Sequence, residues 1–184
     1  MIDLTIIIPC YNEAKSIPDL FNQIKLFKTK YKFLIVDNGS SDNTSAVIEN
    51  LIKPSNVKVK FKKINTGYGA GIKFGLTFVK SKYVGWMHAD LQQDIAVLDN
   101  IENDLNNIVK NSNKENFAMK GHRTKRNFFD NFFTISVSIF ASLLFLKKFW
   151  DVAGQPNIFS RKDTEFIKYA PNDHTFEFYV YFNF

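Results

Sequence analysis

Apolar residues along the first 120 positions of this 184-residue chain follow two alternating rhythms. Short runs rich in β-branched residues at 4–8, 33–36 (closed by Asp37), 57–61 and 83–87 read as strands. Ile17, Leu20, Phe21, Ile24 and Phe27 recur at three- and four-residue spacing, which predicts a helix buried along one side. Ser41, Asp42, Asn43 and Thr44 offer capping side chains ahead of Val47, Ile48 and Leu51, so a second helix is expected there. A glycine-rich segment at 65–71 opens a third helix; a fourth is expected around 95–109 and a further strand near 117–119. Strands separated by helices imply an α/β fold, a doubly wound and mostly parallel sheet flanked by helices.

After residue 121 the alternation stops. The segment "KGHRTKRNFFDN" is basic and aromatic, and the stretch 132–150 that follows begins with fifteen uncharged residues. That is short of the ~20 apolar residues that span a bilayer, which leaves a buried core helix or one lying at a membrane interface. "DVAGQPNIFSRKD" reads as a turn-rich strand leading to a helix start. With no internal repeat or linker, and 45% apolar content, residues 1–184 are expected to form a single domain.

Charge and cysteine usage narrow the partners. Twenty-four Lys and Arg against 18 Asp and Glu give a net charge of +6, which favours polyanions such as nucleic acid, anionic lipid or a nucleotide diphosphate. Runs at 25–32 and 58–63 read as solvated lysine faces, and no RNA-binding signature or zinc spacing accompanies them, so no nucleic-acid partner is expected. Cys10 stands alone; it permits no intramolecular disulfide, fits a reducing compartment and reads as a small buried residue. The opening apolar run in "MIDLTIIIPCYNE" is too short for a signal peptide and reads as the first strand.

In doubly wound sheets ligands bind outside the carboxyl ends of the strands, where three polar clusters fall here, at 9–13, 37–42 and 88–94. Four motifs occur in order on these elements: "IIIPCYNE" at 6–13, "VDNGSSDNT" at 36–44, "NTGYGAG" at 65–71 and "HADLQ" at 88–92. Together they resemble family 2 glycosyltransferases of the GT-A fold, in particular the branch of dolichol-phosphate-mannose synthase and bacterial polyprenyl-phosphate glycosyltransferases.

The resemblance implies roles residue by residue. Pro9, Tyr11, Glu13 and Asp37 would hold the nucleoside of a nucleotide-diphospho-sugar, although Asp37, before Gly39 and Ser40, also suits a turn or cap. Asn38 stands where many relatives carry a second acid. Gly67, Gly69 and Gly71 would let backbone approach closely at the nucleotide-sugar site, with Gly75 serving helix packing. The family's D-x-D metal motif reads His88-Ala89-Asp90 here, followed by Leu91 and Gln92. Asp90 and Gln92 would contact the Mg²⁺ or Mn²⁺ that bridges the diphosphate. For His88 three roles stay open: metal contact, hydrogen bonding to sugar or phosphate, and packing. "KGHR" at 120–123 resembles the family's G-x-R segment, so Arg123 would clamp a phosphate, while Lys125 and Arg126 add positive potential or are simply solvated.

In enzymes of this type the region matching 127–150 forms amphipathic helices at the membrane surface, beside the lipid-phosphate acceptor. Asp151 and Glu177 match the acceptor side, each as a base for a hydroxyl acceptor or as a cap or surface charge. The implied layout is a nucleotide-sugar-binding part at 1–121 and an acceptor- and membrane-facing part at 122–184, C-terminally short of the family pattern. The expected function is metal-dependent, inverting sugar transfer from a nucleotide-diphospho-sugar to a lipid-phosphate or cell-surface polysaccharide acceptor, by a protein peripheral to the cytoplasmic face of the cell membrane. The alternatives are a soluble transferase for a sugar or protein acceptor, and a truncated inactive homologue that binds nucleotide or a partner.

Overall fold

In the computed structural model of the chain, which describes residues 2–27, 31–91, 95–112, 118–121, 128–152 and 154–183, the side chains of β1 (Leu4–Cys10) feed two cores. Leu4, Ile6, Ile8 and Cys10 join Phe33 and Ile35 of β2 (Lys32–Asp37) on one face. That face is covered by α1 (Ile17–Ile24), through Ile17, Leu20, Phe21 and Ile24. A 3₁₀ segment (Ile95–Asn100) and α4 (Ile101–Ser112) cover it further along. Ile7, Leu34 and Val36 point to the other face. There they meet Val84 and Trp86 of β4 (Tyr83–Trp86), Ile72 of α3 (Tyr68–Leu76) and Phe176 and Val180 of α6 (Phe176–Asn183). A period of two in the strand therefore loads both faces, as a doubly wound sheet requires.

The strand order is β3 (Val57–Phe61), β2, β1, β4, β6 (Asn157–Ser160), β5 (Ala118–Lys120). The pairs β2–β1, β3–β2 and β1–β4 are parallel. β6 runs antiparallel between β4 and β5, so the expected mostly parallel sheet has one reversed strand, next to its β5 edge. α2 (Thr44–Asn50) forms where the capping residues placed it, with Asp42 Oδ1 accepting the Thr44 N–H at 2.9 Å. The helix start expected after residue 160 is a 3₁₀ segment (Arg161–Tyr169) instead. Gly75 does serve packing: a Cβ there would lie 2.7 Å from Ile7 Cγ2, so α3 lies flush on the sheet.

α5 (Phe128–Phe145) is docked along a narrow stripe. Ala141 packs with Phe149 and Val152 against Phe178 and Tyr181, and Ser138 Oγ accepts the Asp151 N–H at 3.3 Å. Phe132, Ile139, Phe140, Leu143 and Leu144 are exposed, with Phe140 at 68% and Leu143 at 71%, so a helix buried in the core is not what these side chains form. Among the described residues no helix is long and apolar enough to cross a membrane.

Candidate active site

The loops after β1 and β2 are knitted into one platform. Asn12 sits at φ 58°, and its side-chain oxygen accepts the N–H groups of Ser41 at 2.9 Å and Asp42 at 3.3 Å. The Asn12 N–H donates to Ser40 Oγ and the Glu13 N–H to Thr44 Oγ1, at 3.0 and 2.8 Å. Asp37 is only 1% exposed; its carboxylate accepts the Ser40 N–H at 3.0 Å and the Ser45 hydroxyl. The acid therefore holds its own turn, and the turn in return fixes the acid beneath the platform. Gly39, at φ 77°, cannot be replaced cheaply there, because a Cβ would meet Asn65 N at 2.5 Å. Pro9 is buried under Gly71 of α3, Glu13 is half-buried and Tyr11 is exposed. Burial, followed by the charges of Asp37, Glu13 and Asp42, pushes the Cys10 thiol well above its usual range, so Cys10 is the inert packing residue expected of it.

The glycines of the third motif do admit close approach, and the approaching chain is the protein's own. A Cβ on Gly67, whose φ is 108°, would lie 2.3 Å from Asn172 O, and one on Gly69 would lie 2.5 Å from Pro171 O. The Ala70 N–H donates to the same Asn172 O at 3.1 Å. Asn38 ties the end of β2 to this loop by donating from Nδ2 to Gly67 O at 2.9 Å.

Beyond β4 the chain turns through His88 and Asp90, both half-buried, while the Ala89 methyl enters the core. Ala89 can therefore offer a ligand its backbone only. The His88 ring stacks on Tyr68 with centroids 4.9 Å apart, and Tyr68 stacks also on His174 at 5.3 Å. Burial, then the Glu177 charge and more weakly that of Asp90, pushes the Tyr68 hydroxyl well above its ordinary range. Gln92 and Arg123 lie outside the described residues, as do Lys125 and Arg126. Asp151 is buried at φ 41°, and its C=O accepts the Gly154 N–H at 2.8 Å. Gly121 and Gly154 press the end of β5 against this loop: a Cβ on Gly121 would sit 2.0 Å from Gln155 O. Asp90 and Asp151 are thus carried by different segments at the same end of the sheet as Asp37.

Behind them runs a buried polar network that sequence reasoning missed apart from Glu177. Glu177 Oε1 accepts the Tyr68 hydroxyl at 2.9 Å and Trp86 Nε1–H at 3.0 Å, and Oε2 accepts from Asn157 Nδ2 at 2.9 Å. Gln155 Nε2 donates to Tyr68 Oη at 2.9 Å, and Gln155 Oε1 accepts the His88 N–H at 2.6 Å. Lys120 Nζ donates to Val152 O, Gly154 O and Asn157 Oδ1 at 2.6, 2.7 and 3.2 Å. Burial raises the Glu177 carboxyl above its ordinary value, against the opposing pull of Lys120 and the donors around it. Tyr68 and Lys120 lie inside the segments "NTGYGAG" and "KGHR", but nothing local in the sequence marks their partners. A cavity of about 360 Å³ opens beside Glu177, lined among others by Met119, Phe159, Val180, Lys147 and Lys148.

The profile described as Glycosyl transferase family 2 matches residues 5–155, from β1 through Gln155. This chain belongs to that family. Among family relatives, a dolichyl-phosphate beta-glucosyltransferase of Dictyostelium discoideum is 26% identical over 86% of this chain and 54% of its own length. Another, ALG5D of Trichomonas vaginalis, is 30% identical over 66% of this chain and 39% of its own. The chain therefore spans about half, or less, of these relatives. Of solved structures, the Pyrobaculum calidifontis mannosyltransferase PcManGT, in complex with GDP-Man and Mn²⁺, superposes with a TM-score of 0.60 at 16% identity. It covers 89% of this chain and 46% of that one. Mannosyl-3-phosphoglycerate synthase from Rubrobacter xylanophilus gives 0.63 at 13% identity, over 88% of this chain and 54% of that one. These likenesses establish the GT-A fold. Within the family 2 match lie the Asp37 platform, the His88–Asp90 turn and Asp151; α6 with Glu177 lies past it.

Proposed function

We propose that the chain transfers a sugar from a nucleotide-diphospho-sugar to a lipid-phosphate or cell-surface polysaccharide acceptor, with inversion at the sugar carbon. The observation that carries this is that Asp37, Asp90 and Asp151 all lie at the carboxyl end of the parallel strands of a family 2 sheet. An acceptor oxygen attacks the anomeric carbon, the bond to the diphosphate breaks, and the nucleotide diphosphate leaves. Asp37 and the platform loops hold the nucleoside, and the turn at His88 and Asp90 meets the diphosphate. For a hydroxyl acceptor a base is needed, and in this reading Asp151 would take the proton, whereas a lipid phosphate arrives already ionised and needs no base. The apolar wall of the cavity beside Glu177, with Lys147 and Lys148 at its edge, favours an acceptor with an anionic head and an apolar chain.

Mg²⁺ or Mn²⁺ belongs to this reading. Among the described residues no three acidic, His or Cys side chains form a cage. An ion that keeps waters and is shared with substrate phosphates needs only one or two protein carboxylates, so Asp90, aided by His88 and Gln92, fits that mode. When bound, such an ion neutralises the diphosphate and the charge of the departing nucleotide.

Thermal shift against a panel of nucleotide sugars with Mn²⁺ tests the donor half, since a true ligand stabilises the fold by mass action. Asp37→Ala should weaken nucleotide binding by about 1–3 kcal/mol, the usual loss of a charged hydrogen bond. An unchanged calorimetric titration would remove Asp37 from the nucleoside site. A panel that gives no shift and no transfer would leave the alternative, an inactive partner-binding homologue.

The exposed side of α5 supports a peripheral membrane contact. Replacing Phe132, Phe140 and Leu143 with Ser should leave stability within about 1 kcal/mol, because all three side chains are mostly exposed. The same changes should release the protein from vesicles containing anionic lipid in a flotation assay, each lost side chain being worth ~1.5–3 kcal/mol of apolar burial. Undiminished flotation of the triple variant would move the contact elsewhere.

A further inference from the structure

We propose that Glu177 is a positioning residue: through Tyr68 and Gln155 it fixes the His88 backbone N–H, and with it the placement of Asp90. The inference rests on the transferase reading for its meaning in catalysis, and on the hydrogen-bond network for its geometry. Glu177 is 7% exposed, with two protein donors on Oε1 and one on Oε2, so three hydrogen bonds tie the carboxylate to the protein around it. Indole Nε1 and an amide NH₂ can only donate, so Trp86 and Asn157 together select an accepting carboxylate at this position.

The carboxylate gives the network a direction. Because the Tyr68 hydroxyl donates to Glu177, the lone pairs of Tyr68 Oη are left for Gln155 Nε2, and the Gln155 amide is held with its oxygen toward the His88 N–H. Reversing any one link would set donor against donor at the next. The opposite charge is built in as well. Lys120 donates to Val152 O, Gly154 O and Asn157 Oδ1, and the NH₂ of the same Asn157 donates to Glu177. One amide thus joins the buried Glu177 carboxylate to the half-buried Lys120 ammonium, with the Lys120 end pinning the loop that carries Asp151 and the Glu177 end pinning the turn that carries Asp90. Such a pair adds little to net stability; its role here is to hold a single arrangement of its neighbours, which is what two loops facing one substrate require.

The test uses Tyr68→Phe, which keeps the ring stacking and removes only the hydroxyl link, together with Glu177→Gln and the double variant. Hydrogen exchange of the His88 amide, followed by NMR, should speed up about ten-fold or more in all three, while amides of β1 and β2 keep wild-type exchange. In a transfer assay each single variant should lose roughly ten-fold in kcat, and the double variant should be no worse than the poorer single one, because links in series are not additive. Unchanged exchange at His88 in Tyr68→Phe would overturn the inference. So would wild-type kcat in Tyr68→Phe beside an inactive Glu177→Gln, which would return the proton-taking role to Glu177. If wild-type protein transfers no sugar, the transferase reading fails, and the exchange measurement still decides the positioning. If Glu177→Gln does not fold, Tyr68→Phe carries both measurements.

Discussion

Asp90→Asn should lower sugar transfer ~100-fold or more, the scale of losing one preorganised charge contact to a developing anion. The sign of its effect on donor affinity is more telling than the size. A bare carboxylate beside a diphosphate repels it, so without a cation the neutral amide would bind donor more tightly. With Mg²⁺ or Mn²⁺ between them, the carboxylate attracts the pair, and the amide must weaken both metal and donor. Calorimetric titration of donor into wild type and Asp90→Asn, with metal and with chelator, separates the two. Tighter donor binding by Asp90→Asn in the presence of metal, together with undiminished transfer, would remove the metal from this site. His88→Asp, which turns His-x-Asp into Asp-x-Asp, should in contrast raise Mg²⁺ affinity, since a hard ion prefers a carboxylate oxygen to an imidazole nitrogen.

The largest effect on stability is expected at Trp86→Ala. The ring is fully buried in β4, stacked on Phe159 with centroids 5.1 Å apart and edge-on to Phe176 at 5.5 Å. Truncating a buried aromatic costs about 3–5 kcal/mol, and the loss of Nε1–H strips Glu177 of a donor as well. Against a domain stability of roughly 5–15 kcal/mol, that consumes about a fifth or more of the total. Urea denaturation monitored by circular dichroism should show a midpoint shifted far below wild type. Trp86→Phe, which keeps most of the volume and loses only the hydrogen bond, should fall between the two. A midpoint for Trp86→Ala near that of wild type would mean that α6 is not held against β4 by this contact.

The parts of the molecule that the sequence made legible are those set by neighbours a few positions away. β3 forms over the span its β-branched run marks, and the four apolar positions of α1 all reach the core, because strand and helix periods are local properties. Asp37, His88 and Asp90 stand at strand ends for the same reason. What escaped was fixed by distant pairing. β6 is four residues long, and its reversed direction follows from what it pairs with, not from its own composition. The glycines at 67 and 69 announce a close approach without saying that the visitor is 171–172, about a hundred residues on. Glu177 reads equally well as a helix cap, a base or a surface charge until Trp86, 91 positions earlier, is seen to donate to it.

The reversed β6 also bears on how the chain is made. Strands β1 to β4 are contiguous in the sheet and can pair as they leave the ribosome, but the open edge of β4 is closed only by 157–160. β5 is synthesised some 40 residues before β6, its only strand partner among the described residues. At translation rates of about 5–20 residues per second, several seconds pass with that edge open. Between β5 and β6 the helix that emerges is α5, on which Phe132, Ile139, Phe140, Leu143 and Leu144 remain exposed even in the finished fold. Nascent chains at this stage therefore present an unpaired strand edge and an apolar helix together, a combination that favours aggregation unless a chaperone or a membrane surface takes up the helix first.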